Sequence, residues 1–442
     1  LRSSLRREYG EGIIHRLLNK VVAVDGRTTC VVVGGGPAGM VLGLLLARAG
    51  VDVTVLEKHG DFLRDFRGDT VHPSTLQLLD ELGLGERFAA LPQSRLDEVA
   101  FPVAPGRQIV VADFRRLKTR YPYVAMVPQW DLLNLLAEAG AAEPSFTLRM
   151  RTEVTELIRE NGQVRGVRYR GPDGETGELR AELTVACDGR WSIARAQANL
   201  PVREFPVPID AWWFRLPRDP HDDPAGLTPR VAPGRFAVVI PREDYLQVAY
   251  IARKGSDARL RAQGVEQFRR DIAELAPGFA GRVDAIASMD DVKHLDVRLN
   301  RLDRWHVPGL LCLGDAAHAM SPVGGVGINL AVQDAVAAAT LLAEPLRRGT
   351  VSEADLARVR ARRLLPTILV QRLQRLMHRG LVAPILDGRR AGPPRPVLAL
   401  LRRFPFASLG PAYLIGIGVR PEHAPPFARR PPAPVGTEGQ AG

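Results

Sequence analysis

The sequence predicts a mixed α/β (α+β) fold: a parallel sheet with crossover helices, interleaved with a second, mostly antiparallel sheet, and then a helical C-terminal region. Three observations predict it. A strand, a glycine-rich turn, a helix and a second strand succeed one another between Thr28 and Glu57, the βαβ order that requires parallel pairing. Between Ile209 and Ala252, aromatic and β-branched residues alternate with charges, as suits half-buried antiparallel strands. From about Val326 to His378 the chain runs in long, arginine-rich helical stretches.

In chain order, residues 1–26 carry charges throughout and lack a signal-peptide apolar core, so a loosely ordered extension is expected. Cys30–Val33 is an apolar strand, Met40–Arg48 reads as helix, and Val51–Leu56 is the second strand. Ser74–Leu82 reads as a helix with Ser74 as its N-cap and Gly83 as its stop. Another helix is expected over Trp130–Ala139, then a hairpin over Glu153–Arg170 turning at Asn161-Gly162. Leu183–Cys187 and Leu310–Leu313 are buried strands, each ending in an acid beside glycine. The expected partition assigns 27–99, 124–205 and 297–350 to one discontinuous domain and 100–123 with 206–296 to a second. Residues 351–428 form a C-terminal helical region, and 429–442 a disordered Pro-rich tail.

The chain has 442 residues, 45% hydrophobic and 25% charged, enough for well-developed cores. Its net charge of +11 comes from 55 arginines and only five lysines, with no basic block interleaved with aromatics, so no nucleic-acid partner is inferred. Cys30, Cys187 and Cys312 sit in or beside apolar runs, form no metal-type cluster and suit a reducing cytoplasm. No stretch reaches the roughly 18 apolar residues of a membrane-spanning helix.

Three motifs carry chemistry. The first is Gly34-Gly35-Gly36-Pro37-Ala38-Gly39. Glycine is needed for the tight turn, for close approach to a pyrophosphate and for packing helix on strand, while the helix N-terminus offers N–H groups to the phosphates. Glu57 ends the next strand 21 residues after Gly36, placed to accept from ribose hydroxyls, with Lys58 beside it. This is a Rossmann-type fingerprint, and by itself it admits FAD or NAD. The second motif is Asp188-Gly189-Arg190-Trp191-Ser192-Ile193-Ala194-Arg195 after an apolar strand. The third is Gly314-Asp315-Ala316-Ala317-His318, followed by Ser321-Pro322, Gly324-Gly325-Val326-Gly327-Ile328-Asn329 and Asp334. There an acid can bind ribityl hydroxyls, and glycines at a helix start can bring N–H groups to the flavin pyrimidine edge, where charge develops on reduction.

With these motifs in this order, the chain resembles the FAD-dependent aromatic hydroxylases typified by p-hydroxybenzoate hydroxylase, including ubiquinone-pathway and polyketide hydroxylases. The resemblance spans roughly Thr28 to Leu346. It implies a Rossmann-type FAD-binding domain interleaved with a substrate domain, and tightly bound FAD with NADPH or NADH as a transient co-substrate. By motif, Gly34, Gly36, Pro37, Ala38 and Gly39 would cradle the pyrophosphate, with Glu57 and Lys58 at the ribose. Arg67 and Gln129 would contact the cofactor, Asp188 would serve FAD and NAD(P)H, and Asp315 would hold the ribityl chain. Pro322, Gly324, Gly325, Gly327, Ile328 and Asn329 would face the isoalloxazine; Pro322 and Gly324 mark the reacting edge, and no side-chain acid or base is assigned. The implied reaction passes through a flavin C4a-hydroperoxide whose distal oxygen goes to an electron-rich carbon.

On the substrate side, Trp212, Trp213, Phe214, Tyr245 and Tyr250 are candidates for an apolar pocket, and His72, His294 and His318 for a base toward a phenol. The partner is a small apolar or aromatic molecule whose identity stays open. Rival readings are an isoprenoid reductase and a halogenase, although Trp212-Trp213-Phe214-Arg215-Leu216-Pro217 has the wrong spacing for the halogenase tryptophan signature. Arg402, Arg403 and Arg420 flank apolar stretches such as Tyr413–Val419, which raises either a peripheral membrane contact or a packing arm or subunit contact.

Overall fold

The computed structural model describes residues 26–63, 70–104, 107–219, 222, 227–232, 234–242, 244–390 and 392–431. The extension expected before residue 26, Arg67, and all but the first residues of the Pro-rich tail lie outside them.

Arg27–Val33 forms the middle of the main sheet because its second half, Cys30 to Val33, is wholly apolar and can be buried on both faces. It pairs in parallel with Val53–Leu56 on one side and Thr176–Ala186 on the other. Phe146–Arg149 and Leu310–Cys312 extend the parallel set. The hairpin Glu153–Glu160 and Gln163–Arg170 adds antiparallel strands, turning at Asn161 and Gly162, both at positive φ. The glycine-rich turn leads into helix Pro37–Arg48, whose residues 38 to 47 are all buried. It is apolar all round because it lies on the sheet and also against helices Gln129–Ala141 and Gly327–Arg348.

Helix Pro73–Glu81 corrects one expectation. Its N-cap is His72, not Ser74, because Pro73 takes the first helical position and needs no N–H partner there. Ser74 is turned instead toward Asn329.

The second sheet is wholly antiparallel, in the order Thr228–Ala232, Arg235–Pro241, Tyr245–Arg253, Ile209–Pro217, Lys293–Leu295. Alternation at period two gives it two faces. Trp212, Phe214, Leu216, Val248 and Tyr250 point to helix Asp257–Leu275 and share a core with Phe268 and Ile272. Ala211, Ile251 and Val238 point the other way and pack with Met320 and Val323, from the loop that follows His318. Behind the main sheet, the long helix Glu353–Met377 lies along Gly327–Arg348. It starts in a capping box formed by Ser352 and Asp355. Two further helices, Arg395–Arg403 and Leu409–Gly416, settle on strand Arg107–Asp113. No helix among the described residues is long and apolar enough to cross a membrane.

Candidate active site

The glycine-rich turn is built as its sequence requires. Gly34 has φ +103°, and a Cβ there would sit 2.5 Å from the Cys187 carbonyl oxygen. A Cβ on Gly39 would lie 2.0 Å from the Gly34 oxygen, so only glycine lets the helix begin this close to the strand. Gly36 differs: a Cβ there would meet nothing within 4 Å. The space at Gly36, below the helix that Pro37 and Ala38 open, is what a pyrophosphate cradle needs. Glu57 is buried at the tip of Val53–Leu56. Its Oε2 accepts from the Gly35 N–H at 2.9 Å and its Oε1 from the His59 N–H at 3.0 Å. The carboxylate therefore braces the turn, with Lys58 exposed beside it.

The second and third motifs are stitched together. Burial pushes the Asp188 carboxyl up; Oδ2 accepts from Ala194 N–H at 3.2 Å, while Oδ1 is buried with no partner. Ser192 caps the short helix Ile193–Gln197 by accepting from Arg195 N–H at 2.9 Å. The buried Arg195 guanidinium donates to the carbonyls of Ala316 at 3.1 Å and Arg190 at 2.7 Å. Arg190 in turn stands 3.5 Å from Asp315, whose side chain is one-third exposed. Asp315 is thus open on one side and held by a cation on the other.

The loop Ser321–Asn329 is tied down from helix Pro73–Glu81. Gly324 and Gly325 have φ +86° and +65°, and a Cβ on Gly325 would approach Thr70 Oγ1 to 2.9 Å. The Gly325 carbonyl accepts from Thr70 Oγ1 and faces His72 Nε2, both at 2.9 Å. Asn329 Oδ1 accepts from Ser74 Oγ at 2.9 Å and Thr75 Oγ1 at 2.6 Å. Gly327 begins the next helix, carrying Ile328 and Asn329 in its first turn, and Pro322 accepts from Gly325 N–H at 3.0 Å. Burial lowers the His72 pKa to about 4, so the imidazole is neutral and donates through Nε2. It holds the loop.

Sequence reasoning missed a buried ion network beneath this loop. His318 Nε2 lies 2.5 Å from Asp334 Oδ2, and Arg363 Nε lies 3.0 Å from Asp334 Oδ1. Arg363 Nη1 reaches Glu422 at 3.3 Å, and all four side chains are at most 2% exposed. Burial opposes the charge on Asp334, yet His318 and Arg363 hold its carboxyl below the usual range. Asp334 also accepts from the Gly314 N–H at 3.3 Å, linking the network to the residue before Asp315. Only the Asp334 end was visible in sequence; Arg363 carried no signal beyond a cation among apolar helix neighbours, and Glu422 none.

Other candidates disperse. Gln129 opens its helix, and two residues on, burial raises the Asp131 carboxyl to about 6 while Arg242 across the sheet boundary opposes this. His294 is stacked on Trp212 at 5.1 Å and faces Asp210, on the far side of the sheet from Ser321–Asn329. Trp212, Phe214 and Tyr250 do not line a pocket: they are core beneath helix Asp257–Leu275, because their positions share one parity along their strands. Tyr245 lies at the sheet end under the Arg215 guanidinium. Trp213 alone of the five packs toward Met126, Val238 and Ile415, and its indole N–H is buried without a hydrogen-bond partner. Among the described residues no group of His, Cys, Asp and Glu could hold a metal.

The open cradle at Gly36, the strictly glycine positions 34 and 39, the braced Glu57 and the half-open Asp315 together fit FAD. A family model described as an FAD binding domain matches residues 27–371. The chain belongs to this family. It is an FAD-dependent monooxygenase, and relatives that align along most of its length are named monooxygenases. It is 37% identical over 402 residues to a 6-methylpretetramide 4-monooxygenase of Streptomyces rimosus, covering 88% of this chain and 91% of that one. A 12-dehydrotetracycline 5-monooxygenase/anhydrotetracycline 6-monooxygenase of the same species is 31% identical, over 70% of this chain and 61% of its own length. Among solved structures, the S. rimosus anhydrotetracycline hydroxylase superposes with a TM-score of 0.71 at 26% identity, covering 89% of this chain and 77% of that one. A flavin-dependent brominase also superposes, with a TM-score of 0.70, but at 18% identity it shares the fold alone. The monooxygenase therefore uses FAD, with NAD(P)H as the family's reductant, on a small aromatic or otherwise electron-rich molecule.

Proposed function

We propose that this monooxygenase hydroxylates a polycyclic phenol of polyketide type, seated between the Ser321–Asn329 loop and the Trp213 face of the second sheet. The observation that carries the reading is the packing of Met320 and Val323 against Ala211, Ile251 and Val238, which joins that loop to the apolar side of the sheet. Relatives named for tetracycline-type substrates, one covered over 91% of its length, support the same substrate class.

In this reading Gly34, Gly36, Pro37, Ala38 and Gly39 hold the pyrophosphate. Glu57 and Lys58 hold the adenosine ribose, Arg67 and Gln129 contact the cofactor, Asp188 lies beside the turn, and Asp315 takes the ribityl hydroxyls. Pro322, Gly324, Gly325, Gly327, Ile328 and Asn329 line the flavin ring, with backbone N–H groups at its pyrimidine edge. FAD, when bound, supplies hydride acceptance and oxygen activation. The chain's own residues hold geometry and exclude water: Thr70, His72, Ser74 and Thr75 fix the loop, and the apolar face orients the ring to be attacked. Trp213 offers its indole N–H to a substrate oxygen. We also assign the enzyme to a reducing cytoplasm, since all three cysteines are unpaired, and extend its partners to a membrane, into which so apolar a substrate partitions.

Purified protein should carry bound yellow flavin and oxidise NADH or NADPH faster with polycyclic phenols than with single-ring phenols. Equal stimulation by both classes would remove the polycyclic assignment. Turnover that ignores oxygen would replace hydroxylation by reduction.

A further inference from the structure

The C-terminal helices were expected either to pack as an arm or to touch a membrane. They leave most of their large apolar side chains exposed. Of thirteen large apolar side chains exposed among the described residues, seven lie between residues 397 and 414: Val397, Leu400, Phe404, Phe406, Leu409, Tyr413 and Leu414. The underside is firmly seated, with Leu401 and Ala412 buried, Ala412 beside Phe114 and Leu117. The outer side is bare by construction, not by looseness.

Charge singles out the same stretch. From Gly388 to Pro421 there are six arginines, at 389, 390, 395, 402, 403 and 420, and no aspartate or glutamate. All six arginines are exposed. Arg403 lies over the Phe404 ring at 5.1 Å, so cation and apolar ring share one surface.

We propose that this face, from Arg395 to Leu414 with its flanking arginines, binds the surface of an anionic lipid bilayer. Leucine and phenylalanine side chains entering the acyl boundary, with arginines level with the headgroups, are the chemistry of an interfacial helix. A second copy of the chain fits poorly, since each would bring six cations to the same contact. A specific protein partner fits poorly too, because such interfaces carry roughly one hydrogen bond per 100–200 Å². Between residues 392 and 414 the polar side chains other than arginine are Ser408, buried and donating to the Pro405 carbonyl, and Tyr413. The location suits the reaction: Gly416, which follows this face, accepts from Ser74, the residue that also holds Asn329. The lipid surface thus lies one helix away from the flavin loop, which rests on the hydroxylase reading above.

The test is sedimentation of the full chain with phosphatidylcholine vesicles, with and without phosphatidylglycerol. Each arginine near an anionic surface is worth roughly fivefold in partitioning, so Arg402→Gln with Arg403→Gln should weaken binding to the anionic vesicles roughly 25-fold. Leu400→Glu with Phe406→Glu should weaken it at least as much, and added salt should weaken the wild type. Equal partitioning onto both vesicle types, or variants that bind like the wild type, would overturn the proposal. So would a dimer, seen by light scattering without lipid, that Leu400→Glu with Phe406→Glu splits. Bound flavin and substrate-stimulated NAD(P)H oxidation are measured in every sample. If both persist without vesicle binding, the lipid face fails and the hydroxylase stands; if flavin is missing from the wild type, the hydroxylase reading fails by itself.

Discussion

Trp212 and Trp213 are adjacent in the chain and lie on opposite faces of one sheet. Trp212 is fully buried; its indole N–H donates to Asp257 at 2.8 Å, and its ring meets Tyr250 edge-on at 6.3 Å. Phe214, Tyr250 and Phe268 complete a cluster of edge-to-face rings at 5.4 and 5.5 Å. Every polar atom of Trp212 is used, and every ring has a partner. Trp213 is only half-buried, packs toward Met126 and Ile415 and leaves its N–H unpaired. A buried donor without a partner is costly, and such a cost is tolerated where a ligand can meet it. One face of the sheet is made for stability, and the proposed reading gives the other to recognition.

The largest effect should come from the charges beneath the recognition side. Arg363→Met takes one cation from Asp334, which keeps His318, and from Glu422, which keeps Arg362, and should cost about 3 kcal/mol, read as a lowered denaturation midpoint, with flavin lost during purification. If flavin is retained at wild-type occupancy, the network is not holding the loop. Next, Trp212→Phe removes a hydrogen bond to a charged acceptor and should cost about 1.5–3 kcal/mol of stability with unchanged KM. Trp213→Phe should leave stability within about 0.5 kcal/mol and raise the substrate KM by about fivefold or more. Reversal of these two results would break the assignment of the faces.

Acid should act through the loop. The His72 pKa is lowered to about 4 in the fold and returns to its ordinary 6.5 on unfolding. The unfolded chain therefore binds the extra proton between these values, and stability present above pH 6.5 is lost as pH falls toward 4. Thermal melts of His72→Gln should show a shallower loss across that window than the wild type; parallel curves would remove His72 as the cause. The smallest effect on folding should be that of Gly36→Ala, whose Cβ meets nothing within 4 Å. Its melting without flavin should match the wild type while FAD affinity falls, because the methyl occupies the cradle.

The same contrast explains what could be read from residues alone. The glycine turn, Glu57 and the two acid-ended strands were legible because close backbone approach leaves few residue choices. The second sheet was legible as a sheet, yet the part each aromatic plays depends on parity relative to helix Asp257–Leu275, which alternation does not reveal. Ser74 looked like a cap because hydroxyls favour that place; Pro73 preceding it moved the cap to His72. Arg363 meets Asp334 from 29 residues away and Glu422 meets Arg363 from 59, so no local pattern could join them. The absence of acids between Asp387 and Glu422 was plain in the sequence, whereas the exposure of Leu400 and Phe406 needed the fold.

The central claim is oxygen insertion by a flavin site facing the Trp213 side of the sheet. It is tested most directly by turnover of a polycyclic phenol with NAD(P)H under isotopically labelled dioxygen. The account predicts product carrying one labelled oxygen atom for each NAD(P)H consumed in coupled turnover, with Trp213→Phe uncoupling oxidation from hydroxylation. Unlabelled product, or equal turnover without oxygen, would contradict it.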